Sequence, residues 1–437
     1  MKEDSRFLII KILVEFEKRS DTLKDLRNNC FKLYEPKPLV KLRVMAFTNE
    51  IIRLKGRLDF LICSLSSRKI KRIDKYILNI LRLGFYEILY DENIPNYATV
   101  DSLVNIAQKS LSKKAGGFVN AILRNLTREK GKDSNFLNKF KNSLEWNSFP
   151  IWLQTKWKNE YGKKNAQNLI NFFNQKQYNY FRFNDLNLSE EIQRELKDNN
   201  IKYESFNKNF FKLNSGTSEL LNTNLFKNGT VSIQDPAAGA VVDLLNLKSD
   251  EIVLDICAAP GTKSLSIADK VGKGGKVFAY DNNKLRIKKA KRDILRHKKR
   301  NIYWELKDAT CDRYPLSDKI LLDVPCSGTG VIGNKPDIRW MRELKDISKM
   351  SILQLKILKN VSKYLKTGGS LVYATCSLEK EENWNVIENF LKINLNFKLE
   401  DLNKNIPLNW IDANGCLSTL PYKHDIGGMF AAKLTRL

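Results

Sequence analysis

The sequence predicts a multidomain chain: an all-α N-terminal domain, a small α+β linker module and a C-terminal α/β domain with a Rossmann-like sheet. Three observations carry this. Apolar residues recur at three- and four-residue spacing through 7–14 and again through 77–84, the period of helices with one buried face. From about residue 230 the pattern changes, and apolar runs at 252–256, 276–280, 302–306, 319–324 and 370–375 alternate with helical segments. Such alternation implies a parallel sheet with helices on both faces. The 437 residues are enough for about two to three domains.

Residues 5–130 read as helical. Gly84 and Pro95 mark breaks, and the next helix is expected near Thr99-Val100-Asp101. A basic run, 109–114, leads through Gly116-Gly117, where the chain can turn sharply before a helix over 118–124. The polar stretch 127–142 reads as a linker. Pro150 then opens a helix with Trp152, Leu153 and Trp157 on one side. Residues 145–225 mix helix with short strands, among them 178–183. The expected domains are 1–135, 140–228 and 229–437, with no internal repeat.

No apolar stretch reaches the ~18 residues of a membrane span. The first residues, Met1-Lys2-Glu3-Asp4-Ser5-Arg6, are partly acidic, and Lys11 and Glu15 break the apolar segment that follows. This is an amphipathic helix rather than a signal peptide, so a cytoplasmic protein is expected. The seven cysteines stand at 30, 63, 257, 311, 326, 376 and 416, with no CxxC pair, so neither a zinc site nor disulfides are expected. Two histidines, His297 and His424, leave little room for imidazole chemistry. The net charge is +26, which points to a polyanionic partner such as nucleic acid. The richness in Lys, Asn and Ile is also what an AT-rich genome produces, so charge alone does not name the partner.

In a doubly wound sheet, ligands bind beyond the carboxyl ends of the strands. The loop Asp255-Ile256-Cys257-Ala258-Ala259-Pro260-Gly261-Thr262-Lys263 ends the first such strand. Its small residues let a ligand approach the backbone, and the helix after it offers free N–H groups. It is neither GxxxxGK[ST] nor GxGxxG. Asp281 closes the second strand run, where a carboxylate accepts hydrogen bonds from ribose hydroxyls. Asp308 follows the third and could accept from an adenine amino group. Together the three strand ends point to a nucleoside cofactor. Capping of the following helix is the alternative for Asp281 taken alone.

Cys326 and Cys376 each follow the carboxyl end of a strand, in Asp323-Val324-Pro325-Cys326 and Ala374-Thr375-Cys376. Neighbouring strands lie ~4.8 Å apart, so both thiols can face the cofactor loop, with Asp323 at the same mouth. A single cysteine is most often a small buried hydrophobe. Two at adjacent strand mouths suit covalent chemistry on a pyrimidine. A thiolate adding to carbon 6 makes carbon 5 nucleophilic enough to attack a methyl sulfonium, and a carboxylic acid at the N3 edge would stabilise the intermediate. A free thiol titrates near ~8.5, so the nucleophile needs activation by its pocket or substrate.

These residues resemble the RNA cytosine-C5 methyltransferase family, which uses S-adenosylmethionine and two motif cysteines. The segment 255–263 is similar to its cofactor motif, and Asp323-Val324-Pro325-Cys326-Ser327-Gly328-Thr329-Gly330, followed by Lys335-Pro336-Asp337-Ile338-Arg339-Trp340, to its DAPCS motif. Thr375-Cys376-Ser377 with Glu381-Glu382-Asn383 resembles its last motif. The resemblance implies that Cys376 is the nucleophile and that Cys326 assists release. It also implies that Asp323 sits beside both base and cofactor, and that Cys257, Ala258, Ala259, Pro260, Gly261, Thr262, Lys263, Asp281, Asp308 and Asp323 bind S-adenosyl-L-methionine. Thr262 stands where Gly is usual, Val324 where Ala is, and Gly427-Gly428-Met429-Phe430 where DGFF is.

Segments 81–89 and 118–124 resemble the NusB-type RNA-binding helical domain. NusB-like helices ahead of this catalytic domain imply a bacterial 16S rRNA methyltransferase with a class I methyltransferase fold, acting on cytosine 967. We expect a monomer that meets RNA without metal or membrane. Other readings are action on another RNA such as tRNA, or a non-catalytic NusB-like RNA-binding protein, which would need neither cysteine. An amino-group methyltransferase would carry [DN]PPY where DVPC stands. Segment 284–300 holds ten Lys or Arg in seventeen positions and is either a solvated helix face or an RNA contact.

Overall fold

The computed structural model describes residues 4–437 except 134, 208, 215 and 403–405. Residues 1–3, part of the acidic start, and residue 134 of the expected linker thus lie outside the described residues. The chain forms two compact units, one of residues up to 175 together with 332–342, the other of 176–331 and 343–437. Among the described residues no helix is long and apolar enough to cross a membrane.

The first unit is helical. Its helices are Ser5–Phe16, Leu23–Tyr34, Pro38–Arg53, Lys55–Ser66, Lys75–Tyr90, Asn96–Ser110, Lys113–Lys132 and Ile151–Phe173, the last broken at Gly162. Side chains open several of them. Asp4 accepts from the Arg6 N–H, Asp74 from Tyr76 and Ile77, and Ser112 from Ala115. Leu8, Ile9, Ile12 and Leu13 pack with Leu81, Phe85, Leu103 and Leu123 in one core. Two charges are sunk into it with partners. Arg82 bonds Asp59 at 2.6 Å and Glu17 at 2.5 Å, and Glu87 accepts from Arg6 and Thr99 at 2.9 and 2.8 Å. Removing one partner of such a group costs about 3–5 kcal/mol.

Three expected features of this unit are corrected. Gly84 is no break: helix Lys75–Tyr90 runs through it, because a side chain there would meet Leu123 at 2.7 Å and Leu103 at 2.9 Å, so glycine serves close helix packing. Nor do Gly116 and Gly117 turn the chain. They lie inside Lys113–Lys132, which Ser112 caps upstream and which extends into the expected linker, followed by a short turn that buries Phe136. The helix expected near Thr99 starts directly after Pro95, which supplies its N-terminal boundary.

Residues 332–342 belong to this unit although they lie between two strands of the other. Arg339 is fully buried. It donates to the carbonyls of Arg53 (3.0 Å), Ser148 (3.1 Å) and Phe173 (3.1 Å) and to Asn174 Oδ1 (2.8 Å), with its guanidinium over Phe149. The Trp340 indole donates to Ile52 O at 2.7 Å, and Asp337 accepts the Leu23 N–H at 3.1 Å. Helix Ile151–Phe173 stays in this unit through Trp157, Phe149 and Phe173, whose rings pack together.

The second unit holds two sheets. The smaller contains β1 (Asn179–Phe183), β2 (Tyr203–Ser205), β3 (Phe210–Leu213) and β4 (Val231–Ile233), antiparallel in the order β2-β3-β1-β4. Phe181, Phe183 and Phe211 form its core with Ile192 and Leu196 of helix Ser189–Asp198. The larger contains β5 (Ile252–Ile256), β6 (Lys276–Asp281), β7 (Ile302–Leu306), β8 (Ser317–Asp323), β9 (Leu365–Thr375), β10 (Phe397–Leu399), β11 (Leu417–Ser418) and β12 (Phe430–Arg436). The order is β10-β12-β9-β8-β5-β6-β7, with β11 paired to β12.

Strands β5 to β9 are parallel, as the alternating pattern predicts, and β12 adds an antiparallel strand beside β9 that the pattern did not announce. Successive residues serve opposite faces. Val253 and Leu321 pack with Val241, Ile267 and Ala268 on one side, while Leu254, Ile320 and Leu322 pack with Ile357, Leu358 and Ile387 on the other. Neighbouring strands on the two sides of β5 run away in opposite sequence directions, so β5 is the topological switch point of the sheet, where ligands bind beyond the carboxyl ends.

Candidate active site

The loop after β5 is tightly held. Ala258 N–H donates to Tyr280 O at 2.8 Å, and Ala259 N–H to Asp281 Oδ2 at 3.1 Å. Gly261 has φ +99°, and a side chain there would lie 3.0 Å from the Trp304 ring, so only glycine fits before helix Thr262–Val271 begins. Thr262 opens that helix. Cys257, Ala258, Ala259 and Pro260 form the loop itself, through a cis peptide at Ala259–Pro260.

Beneath it, Asp255 is buried and accepts from Ser264 Oγ at 2.5 Å. Burial pushes its carboxyl up to about 7, with Asp323 adding to the rise and the Ser264 bond opposing it.

Asp281 ends β6, buried, and also accepts the Asn283 N–H at 3.0 Å. Arg286 lies 3.4 Å from its Oδ2 and donates to Ala259 O, a link from the basic helix to the loop that the sequence reading missed. Asp308 lies just past β7, exposed, its side chain accepting the Thr310 N–H at 2.8 Å, and that bond holds its carboxyl below the usual range.

Lys263 reaches away from the loop toward the next strand, and its ammonium donates to Asp323 Oδ2 at 2.7 Å. Burial disfavours the Lys263 charge, but Asp323, with help from nearby Cys376 and Asp255, outweighs this and holds its pKa above the ordinary value. Asp323 ends β8 opposite Ala374 of β9, which aligns the two cysteine loops.

The two thiols meet. Cys326 Sγ lies 3.2 Å from Cys376 Sγ, and both residues are partly exposed. The loops that carry them are stitched by buried groups. Gly330 N–H donates to Cys376 O at 2.9 Å and Leu378 N–H to Thr329 Oγ1 at 2.9 Å, while Ser327 Oγ and Ser377 Oγ lie 3.0 Å apart. Glu382, fully buried, accepts from Ser377 Oγ–H and the Ser327 N–H, both at 2.8 Å. Asn383 donates to Ser377 O at 2.9 Å and accepts from Thr375 Oγ1 at 2.6 Å. The Cys326 thiol is pushed well up by its contact with Cys376, by burial and by the Glu382 charge.

Before β12, Gly428 N–H donates to Gly330 O at 2.9 Å, and a side chain on Gly330 would lie 2.1 Å from Gly428 O. Gly427, which stands where the family has Asp, donates its N–H to Asp235 Oδ2 at 2.8 Å. Gln354 and Asp235 gave no sequence signal of their own, and Ser327 only its place in the DAPCS-like motif. Glu382 stood inside a quoted motif, but its partners lie 55 and 28 positions away.

Known proteins match this chain over most of its length. The model of the 16S rRNA methyltransferase RsmB/F family matches residues 242–435, and that of the NusB family residues 3–128. The probable ribosomal RNA small subunit methyltransferase B of Synechocystis sp. is 31% identical over 88% of this chain and 89% of its own. That of Bacillus subtilis is 31% identical over 84% of each. The chain belongs to the ribosomal RNA small subunit methyltransferase B family.

Members of this family are S-adenosylmethionine-dependent RNA methyltransferases, and so is this protein. The crystal structure of PH0851 shares its fold over 99% of both chains, with a TM-score of 0.80 at 24% identity. NSun6 from Pyrococcus horikoshii with SFG covers 66% of this chain and 98% of its own, with a TM-score of 0.59 at 22% identity. The residues present fit the cofactor. Both Asp281 oxygens hold backbone donors while keeping lone pairs for ribose hydroxyls.

Proposed function

We propose that this protein methylates carbon 5 of cytosine 967 in 16S rRNA through a covalent bond between Cys376 and carbon 6. The 3.2 Å approach of the two strand-end thiols beside the Lys263–Asp323 pair carries this reading. S-adenosylmethionine, when bound, supplies a methyl group on a sulfonium. The Cys376 thiol gives its proton to solvent, its sulfur bonds to carbon 6 as the 5,6 double bond opens, and the freed electron pair makes carbon 5 a nucleophile. Carbon 5 takes up the methyl carbon as the sulfonium–carbon bond breaks and its electron pair stays on sulfur. Cys326 assists loss of the carbon 5 proton, the 5,6 double bond re-forms, and the Cys376–carbon 6 bond breaks with its pair returning to Cys376. In this reading Asp323 meets the N3 edge of the base, and its bond to Lys263 orients it.

In this reading Cys257, Ala258, Ala259, Pro260, Gly261, Thr262, Lys263, Asp281, Asp308 and Asp323 surround the cofactor, with Asp281 on the ribose and Asp308 toward the adenine amino group. Residues 1–135 bind RNA, 140–228 link the two parts of the chain with helix Ile151–Phe173 belonging to the helical unit, and 229–437 apart from 332–342 transfer the methyl group. The protein works in the cytoplasm as a monomer without a metal.

The test is a pair of variants incubated with 16S rRNA and cofactor. Cys376→Ala abolishes methyl transfer, whereas Cys326→Ala leaves enzyme covalently trapped on RNA, visible on a denaturing gel. Retained activity in Cys376→Ala overturns the mechanism. Bisulfite sequencing of rRNA and tRNA from a strain lacking the gene reads the target: loss of the mark in tRNA alone overturns the 16S assignment.

A further inference from the structure

We propose that Glu382 is the positioning residue that fixes Cys326 and Cys376 relative to each other. The inference rests on the covalent reading above and adds a group that touches neither base nor cofactor. Glu382 has no exposed surface. One carboxylate oxygen accepts the N–H of Ser327, the residue after Cys326, at 2.8 Å, and also the Gln354 Nε2–H at 2.9 Å. The other accepts the hydroxyl of Ser377, the residue after Cys376, at 2.8 Å. A single side chain therefore grips the position directly after each sulfur.

The grip is closed on both sides. Gln354 also donates to Pro325 O at 3.0 Å, so the residues before and after Cys326 are tied to one Glu382–Gln354 pair. Gln354 comes from helix Leu344–Val361, a rigid element rather than a loop. Tyr373 of β9 donates its hydroxyl to the Glu382 carbonyl at 2.6 Å, which pins the Glu382 backbone to the strand that carries Cys376. Three donors converge on one buried carboxylate, and bonds to an ionised acceptor are shorter and about twice as strong as neutral ones.

The charge also has a direction. Glu382 raises the Cys326 thiol, adding to the contact with Cys376 and to burial, whereas Cys376 has the Lys263 ammonium in its field. The Glu382 charge thus disfavours an anion on Cys326, and a sulfur that holds its proton strongly suits proton removal rather than attack.

Glu382→Gln tests this at constant shape. The amide offers one acceptor where three donors meet, and it carries no charge. We expect KM for RNA and for S-adenosylmethionine to stay within about threefold while kcat falls about tenfold to a hundredfold, the range for small misplacements of reacting groups. The covalent RNA adduct should accumulate above the wild-type level, and the pH at which adduct release is half-maximal should move down. Ser377→Ala, which removes one donor and keeps the charge, should lower kcat by a smaller factor without moving the release profile, and it supplies the test if Glu382→Gln does not fold. An unchanged kcat in a folded Glu382→Gln, or in Ser377→Ala, overturns the inference, as does a kcat loss with no change in adduct level or pH profile. Cys376→Ala and Cys326→Ala run alongside. If they behave as stated above while Glu382→Gln is silent, only this inference fails; if Cys376→Ala stays active, the covalent reading fails first.

Discussion

Cys326 Sγ lies 3.2 Å from Cys376 Sγ, although the residues are fifty positions apart in sequence. A disulfide needs about 2.05 Å, so a closure of about 1.2 Å would join the pair. A two-electron thiol oxidant such as diamide should therefore inactivate the enzyme, lower its intact mass by two hydrogens and leave five of the seven thiols reactive after denaturation. Dithiothreitol should restore activity. Full activity after oxidation, or seven reactive thiols, contradicts this.

The helix Lys284–Arg296 buries Ile287, Ala290 and Ile294 and exposes Lys288, Lys289, Lys291 and Arg292. Changing Lys288, Lys289 and Lys291 together to Gln should weaken RNA binding and reduce the slope of log affinity against log salt by about two to three, near 0.7–0.9 per lost phosphate contact. Filter binding across a salt series decides it, and an unchanged slope returns this helix to the role of a solvated face.

Burial raises the Asp255 carboxyl from its ordinary 3.8 to about 7. Between those values the unfolded chain has lost a proton that the folded chain keeps, so stability from this group is full below about pH 4 and falls as pH rises toward 7. Asp255→Asn should flatten the fall in Tm between pH 5 and pH 8. Parallel Tm profiles for the variant and wild type would show that Asp255 is ionised in the fold at neutral pH.

Arg339→Ala would take the guanidinium donor from Ser148 O and Asn174 Oδ1, and would leave Arg53 O with only the Ser148 hydroxyl and Phe173 O with only Arg53. We expect a loss of about 3 kcal/mol or more, read by urea denaturation, with Arg339→Lys unable to restore it because an ammonium cannot spread over four acceptors. A loss below about 1 kcal/mol would mean that water replaces the guanidinium.

Much of the site was legible because it lies at strand ends. A buried parallel strand is a short apolar run, and Asp281, Asp323, Cys326 and Cys376 stand at or just beyond the ends of such runs. The loop 255–263 could be read from its small residues. What stayed hidden was set by packing. Gly84 reads as a break until the side chains of Leu103 and Leu123 are seen against it, and β12 is antiparallel to β9 for reasons no local period records. Glu382 looks like one more acid beside Glu381 until its partners from two other segments converge on it. Lys263 was grouped with the cofactor loop, but its ammonium turns to Asp323.

The return of residues 332–342 to the helical unit has a consequence for dissecting this protein. A cut at residue 175 does not separate two modules, because the helical fragment would lose Arg339 and Trp340, which fill its interior and satisfy its carbonyls. The catalytic fragment would carry the same eleven residues out into water. The polypeptide passes between the units three times, so a fragment meant to hold either unit alone would need redesign at residues 332–342.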